Sequence, residues 1–225
     1  MRLADPTDLA PAPSPRICAW CPKPIPADAP PKVRFHSRLC RQAAYRARRL
    51  HSFEMQSMRT MHMAYADPHY LKTARKRYPD HPFGEVDHGQ LIRSLVCYDG
   101  WALSCSTASL RELLPMVPEK HVLCTWGKNI GVSGRTRGIH KVTESLIVVP
   151  GRRLRPGKPD LLVCQPARSG GDLVGRKPLK FCIWLFDVLG LLPGDELLDV
   201  FPGTGIVGRT WKEVSRVPEP LGGSA

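Results

Sequence analysis

Apolar positions recur along this chain at two spacings, and their alternation outlines an α/β protein. Runs of apolar and β-branched residues predict buried strands over residues 61–66, 101–106, 122–126, 145–149 and 196–201. Apolar residues at helical spacing (Val86, Leu91, Ile92, Leu95) predict a helix over 86–97. Further helices are expected over 108–114, where Pro115 should stop the first of them, and over 177–189 and 206–215. Strands alternating with helices imply an open, mostly parallel, Rossmann-like sheet, here of about five strands. The stretch GKNIGVSGRTRG reads as an exposed basic loop, and residues 150–176, rich in Pro, Gly and Arg, as a long functional loop or arm. Residues 1–17 carry neither period and read as a flexible lead-in. They are followed by a compact module over 18–50, a polar linker, the α/β domain over 60–216, and a flexible tail over 217–225.

Composition narrows the partners. Lys and Arg total 33 against 20 acids, a formal net charge of +13, and the pI is about 9.7. A polyanion is therefore the expected partner, with nucleic acid ahead of a membrane surface. Apolar residues make up 42%, enough for a real core. The longest apolar stretch, residues 181–192, is too short to span a bilayer and contains Asp187. Eight cysteines with no signal-peptide pattern point to a reducing, cytoplasmic setting, in which cysteine means metal, chemistry or core. Secreted, membrane and collagen-like classes are excluded.

Four of the metal-ligand residue types cluster early. Cys18-Ala-Trp-Cys21, fourteen residues, then His36-Ser-Arg-Leu-Cys40 supplies three thiolates and an imidazole, a donor set suited to tetrahedral zinc. Four protein ligands close the shell, so such an ion is structural, and it would stabilise a segment too small for a core of its own. The alternative is that the cysteines are incidental and His36 caps a turn. The continuation CRQAAYRARR resembles the end of small zinc fingers ahead of phage and bacterial DNA-acting proteins, which usually have Cys in place of His36. Arg41, Arg46, Arg48 and Arg49 fall on one expected helix with no acid between Lys32 and Phe53, a face suited to phosphates.

Two further motifs carry chemistry. Asp67-Pro68-His69-Tyr70 ends the first predicted strand, where an open α/β sheet places its ligands. Far downstream, Leu197-Leu198-Asp199-Val200-Phe201-Pro202-Gly203-Thr204-Gly205 runs from a strand through a glycine turn into a helix, leaving helix amides free for a ligand. Read alone, this is a nucleotide loop or simply a strand-to-helix turn; it lacks the GxxxxGK[ST] pattern of a P-loop. Together the motifs resemble the S-adenosylmethionine-dependent DNA amino-methyltransferases in their permuted arrangement, with the catalytic tetrapeptide [DNS]PP[YFW] ahead of the cofactor loop D-x-F-x-G-x-G. Lys177-Pro178 is similar to the segment preceding that loop, Trp126-Gly127-Lys128 to the family's W-x-K strand, and Glu144 to its acid before the last strand. The likeness covers about residues 60–216 and is nearer to small phage-type methylases than to restriction-modification enzymes.

The resemblance implies a methyltransferase sheet, a DNA substrate and methylation of an exocyclic amine, adenine N6 before cytosine N4. By the same resemblance, the Asp67 carboxylate and Pro68 carbonyl accept the amine's N–H bonds, localising its lone pair for in-line displacement. Tyr70 stacks on a base that has left the duplex. Asp199, Phe201, Gly203, Thr204 and Gly205 surround S-adenosylmethionine, together with Lys177 and Pro178. Two features depart from the family. His69 replaces its second proline, and Glu213 and Glu219 are the only late acids, leaving the ribose without an assigned partner. The alternative reading is a DNA-binding zinc protein on a catalytically decayed methyltransferase scaffold. Trp101, Trp184, Cys105 and Cys182 are expected in the core. His62, His81, His88, His121 and His140 lack ligand spacing, and Arg135, Arg137, Arg152, Arg153 and Arg155 are expected to meet phosphates.

Overall fold

The computed structural model describes residues 15–51, 59–71, 85–130, 138–152, 157–167 and 176–216. Residues 1–14 of the expected lead-in and the tail lie outside them, as do His81, Arg135, Arg137, Arg153, Arg155 and Glu219.

Among the described residues six strands form one sheet: β1 (His62–Ala66), β2 (Gly100–Cys105), β3 (Val122–Lys128), β4 (Thr143–Val149), β5 (Leu161–Cys164) and β6 (Glu196–Asp199), in the order β5-β3-β4-β2-β1-β6. β1 is parallel to both β2 and β6, and β3 to β5; β4 alone runs against its neighbours β2 and β3. The sheet is thus mixed α/β with one strand more than the five expected. The extra strand is β5, inside a stretch whose Pro, Gly and Arg content reads as loop. Its four residues pair with β3, and two indoles hold it: Trp126 Nε1 donates to the Cys164 carbonyl at 3.1 Å and Trp184 Nε1 to the Pro159 carbonyl at 2.8 Å.

Period-two alternation sends the strands' side chains to two separate cores. Met63 and Tyr65 of β1 join Trp126, Leu146 and Val148 beneath α4 (Leu179–Leu189) and α5 (Ile206–Ser215). Ala64 and Ala66 join Trp101, Leu103 and Ile147 beneath α2 (His88–Leu95) and α3 (Leu110–Leu113). Trp101, Trp184, Cys105 and Cys182 are all buried. Pro115 does not stop α3 outright; it lies within the 3₁₀ turn Leu114–Met116 that follows. α4 ends at Gly190, whose φ of +79° and close approach to the Arg152 carbonyl leave no room for a side chain.

The N-terminal module packs onto the first of these faces. Ser37 Oγ accepts the Cys40 amide hydrogen at 3.1 Å and opens α1 (Arg38–His51). Arg46, expected to meet phosphates, is instead only 2% exposed. Its guanidinium donates to the carbonyls of Leu191 (2.9 Å) and Ile183 (3.2 Å), pairs with Asp187 at 2.9 Å, and lies over the rings of Phe186 and Trp211. A planar fork between carbonyls and aromatic faces is what an arginine helix residue supplies and a lysine cannot. Arg152 is likewise taken up internally: it pairs with Asp195, whose carboxylate also accepts the Leu192 and Met61 amides. Arg41 remains exposed. The side chains of Arg48 and Arg49 lie outside the described residues.

Arg46→Ala would take the guanidinium donor from the Leu191 and Ile183 carbonyls and leave Asp187 with Lys158, at 3.4 Å, as its remaining cation. It is expected to lower the unfolding free energy by about 3 kcal/mol, read by urea denaturation, and Arg46→Lys to recover only part of it. An alanine variant as stable as the parent would show that this contact does not hold α1 in place.

Candidate functional site

Two motifs far apart in sequence emerge side by side because β1 and β6 are parallel neighbours. Tyr65 stands opposite Asp199 in the register, and the Val200 amide donates to the Tyr65 carbonyl at 2.9 Å. Asp67-Pro68-His69-Tyr70 and Val200–Gly205 therefore leave the sheet at the same end, the carboxyl end of its parallel strands. Open parallel sheets place ligands there because strand ends and helix amino ends converge.

On the β1 side the site is a buried chain of charges. Lys177, which precedes Pro178 at the amino end of α4, is 6% exposed. Its ammonium lies 3.1 and 3.2 Å from the two Asp67 carboxylate oxygens and pairs with Glu144. Glu144, 2% exposed on β4, meets Lys128 of β3 at 3.1 Å. The Lys177 ammonium also sits over the rings of Trp126 (5.5 Å) and Phe181 (5.1 Å). Burial works against the charge on Lys177, but Asp67 and Glu144 outweigh it and hold its pKa above the ordinary lysine value. Burial opposes the charge on Glu144 too, yet Lys177 and Lys128 keep its pKa below the usual carboxylate range. At Asp67 burial prevails over Lys177 and, with the Glu144 charge, leaves the pKa raised. Tyr70 is half-buried, and burial followed by the Glu144 and Asp67 charges pushes its phenol well up.

On the β6 side Gly203 (φ +48°) and Gly205 (φ +68°) carry the chain into α5. Gly205 caps that helix, and a Cβ placed on Gly203 would meet nothing within 4 Å. The loop thus pairs a backbone shape that L-residues resist with open space at a helix start that no side chain caps. Both Asp199 carboxylate oxygens are buried with no hydrogen-bond partner among the described residues. Burial raises the Asp199 pKa, opposed by the Gly208 amide and reinforced by Asp67. Phe201 is half-buried against the second core, and Thr204 is half-buried in the turn.

The sequence-predicted residues fall into three groups in space. Asp67, Pro68, Tyr70 and Lys177 form the charged side, and Asp199, Phe201, Gly203, Thr204 and Gly205 the glycine turn beside it. Lys177, expected near the cofactor loop, has its ammonium on Asp67. Lys128 and Glu144 carry no assigned role in the sequence beyond the family likeness; an acid at an inward position of an apolar strand is the signal for a buried counter-ion.

The third group stands apart. Cys18 Sγ, Cys21 Sγ, His36 Nδ1 and Cys40 Sγ offer donor atoms all within 4.8 Å of one another, the one such group found among the described residues. Cys21 and Cys40 sulfurs each lie 3.3 Å from the imidazole nitrogen and 3.6 Å from each other. A tetrahedral zinc shell with bonds of about 2.0–2.3 Å has edges of about 3.3–3.8 Å, so the cluster fits the ion. Burial, then the neighbouring Cys21 and Cys18 sulfurs, pushes the Cys40 thiol up to about 12. Burial opposes ionisation of Cys18, but hydrogen bonds from His36 and the local backbone bring it to about 6. Outside this cluster, His62 meets Glu196 at 3.0 Å, while His88 and His121 bond backbone carbonyls.

No family model matches the sequence, and no curated protein matches it. Among solved structures the fold is similar to that of M1.HpyAVI in complex with SAM (S-adenosylmethionine): TM-score 0.52 at 16% identity, over 76% of this chain and 86% of that one. A second M1.HpyAVI structure aligns with a TM-score of 0.44 at 16% identity, over 76% and 85%. No described helix is long and apolar enough to cross a membrane.

The unpartnered Asp199 gives a pH-dependent prediction. Its raised folded-state pKa means that its charge costs stability, a cost absent below the ordinary carboxylate pKa and growing as pH rises through the folded value. Ligand-free Asp199→Asn is therefore expected to be more stable than the parent by about 1 kcal/mol near neutrality, with the gap closing toward pH 4. Paired thermal melts across that range check it.

Proposed function

We propose that the protein is a DNA methyltransferase that transfers a methyl group from S-adenosylmethionine to an exocyclic amine, adenine N6 before cytosine N4. The observation that carries this reading is the β1–β6 register, which brings a carboxylate-bearing tetrapeptide and a glycine turn to one edge. M1.HpyAVI, whose fold is similar, forms a complex with S-adenosylmethionine. The net charge of +13 suits a DNA partner.

The residues present fit the cofactor. The open space at Gly203, the start of α5 with no side-chain cap and the buried Asp199 carboxylate oxygens are the features a ligand with hydroxyl or ammonium donors for that carboxylate would complete. When bound, S-adenosylmethionine supplies an electrophilic methyl on a sulfonium. The chain's own groups prepare the nucleophile. The Asp67 carboxylate and Pro68 carbonyl accept the N–H bonds of the amine, which removes its lone pair from conjugation with the base and aims it. Tyr70 offers a face for stacking on the extruded base. Asp67 is also the acceptor placed to take the proton that the methylated amine must lose.

Cys18, Cys21, His36 and Cys40 are proposed to hold one structural zinc. The ion would neutralise thiolates that otherwise oppose one another's ionisation and would order the turn ahead of α1. Purified protein is expected to carry one zinc per chain by metal analysis. Cys40→Ser should release it, disordering residues 18–37 while the sheet, which contributes no ligand, stays folded.

The decisive experiment is transfer of labelled methyl from S-adenosylmethionine to duplex DNA, with mass spectrometry separating N6-methyladenine from N4-methylcytosine. Asp67→Ala is expected to lower the rate at least about a hundredfold while cofactor affinity by calorimetry stays within about threefold. Gly203→Val should instead weaken cofactor binding more than about tenfold, since a branched residue resists its φ and fills the open space. Cofactor binding and a DNA complex without any transfer would favour the decayed scaffold. Folded Asp67→Ala protein as active as the parent would end the methyltransferase reading.

A further inference from the structure

The two carboxylates on the Lys177 ammonium are held differently. Glu144 is enclosed and shared between two cations, so its charge is neutralised within the fold. Asp67 keeps 26% of its side chain open to solvent and touches one cation. That cation lies nearly equidistant from both carboxylate oxygens, at 3.1 and 3.2 Å. An ammonium astride a carboxylate fixes rotation about its last bond and leaves lone pairs on both oxygens for a second donor. The Lys177 ammonium has no such freedom of its own: two carboxylates and two aromatic faces surround it.

We infer that Lys177 is a positioning residue for Asp67, orienting its carboxylate and holding it as an anion, and that Glu144, anchored by Lys128, holds Lys177 in place. The inference rests on the methyl-transfer reading for what Asp67 then accepts, but the electrostatic coupling can be measured without it. A protonated Asp67 would offer the target amine a donor where an acceptor is required, so the rate should fall on the acid side of the Asp67 titration.

The groups around Asp67 decide the signs. Tyr65 of β1 faces it with its hydroxyl on Ser104 of β2, and His69 and Tyr70 follow in the turn. Lys128 comes from β3, Glu144 from β4 beside Cys105, Lys177 from the segment before α4, and Asp199 from β6. Among these, Lys177 is the main influence favouring the Asp67 anion, and Glu144 is the main charge opposing it. Removing the Lys177 charge should raise the Asp67 pKa, whereas removing the Glu144 charge with Lys177 still in place should lower it. A scaffold role alone would make both variants lose activity evenly at every pH.

The test uses the full chain and three variants: Lys177→Met, Lys177→Arg and Glu144→Gln. The Asp67 carboxyl is titrated by carbon NMR in ¹³C-aspartate-labelled protein, assigned through Asp67→Asn, with circular dichroism confirming the fold at each pH. In parallel, initial rates of methyl transfer to duplex DNA are taken across the same pH range. For Lys177→Met both the titration and the acid limb of the rate profile should move up by about one pH unit or more, so that activity returns as pH rises. For Glu144→Gln both should move down, and Lys177→Arg should stay near the parent in titration. If Lys177→Met does not fold, the downward move in Glu144→Gln and the retained titration in Lys177→Arg decide the matter. An Asp67 titration that stays at its parental position in both charge-removing variants overturns the inference, as does a uniform rate loss with no displaced limb. A titration that moves as expected in a parent protein that transfers no methyl group overturns the functional reading and leaves the Lys177–Asp67 coupling established.

Discussion

A charge withdrawn from water must find its opposite, and this fold depends on that requirement being met four times in one chain. Lys128, Glu144, Lys177 and Asp67 alternate in sign and come from β3, β4, the segment before α4 and the end of β1. Their sum is neutral within a protein of net charge +13. Removing either inner member, Glu144 or Lys177, would leave an end of the chain, Lys128 or Asp67, without its partner at a cost of several kcal/mol, so the four segments depend on that central pair. The chain also fixes register. A one-residue slip of β4 would turn Glu144 to the opposite face and present Thr143 or Ser145 to Lys177 instead.

Much of this was legible in the sequence where local pattern and tertiary role coincide. α5 begins and ends where its apolar spacing predicts, and β1, β2 and β4 lie within a residue or two of the expected spans. The tetrapeptide and the glycine turn declared themselves because strand ends and turns require particular residue types. The illegible parts are those in which distant residues decide. β5 is four residues long, has no flanking pattern, and exists because β3 and two indoles receive it. Arg46 and Arg152 read as surface cations because charge is a sound guide to exposure only when no acid lies opposite. Asp187 and Asp195, more than a hundred and about forty residues away along the chain, make them structural. Lys177 stands out through the segment it sits in, but its contact with Asp67 joins residues 110 apart and leaves no trace in spacing.

The N-terminal module is tied to the same scaffold by different means. Its small cluster of Cys18, Ile25 and Cys40, with Trp20, Val33 and Phe35 around it, is too slight to be a core. α1 carries the connection, since Arg46 grips the carboxyl end of α4 and lies over Trp211 of α5. The Trp211 indole in turn donates to the Asp195 carbonyl at the entry to β6. The metal-ligand cluster and the glycine turn are therefore linked through two packed helices, and the orientation of one constrains the other.

The strand order has a consequence for biosynthesis. β1 is the first described strand to leave the ribosome, yet one of its two partners, β6, is the last to do so. Until β6 arrives, β1 presents a bare edge whose residues Met63–Ala66 are fully buried in the finished protein. A nascent chain thus carries an apolar, unsatisfied strand margin through most of its synthesis, the kind of surface that recruits other chains. Closure by a strand of only four residues makes the final step late and high in contact order. The half-made protein should accordingly depend on chaperones more than its modest size would indicate.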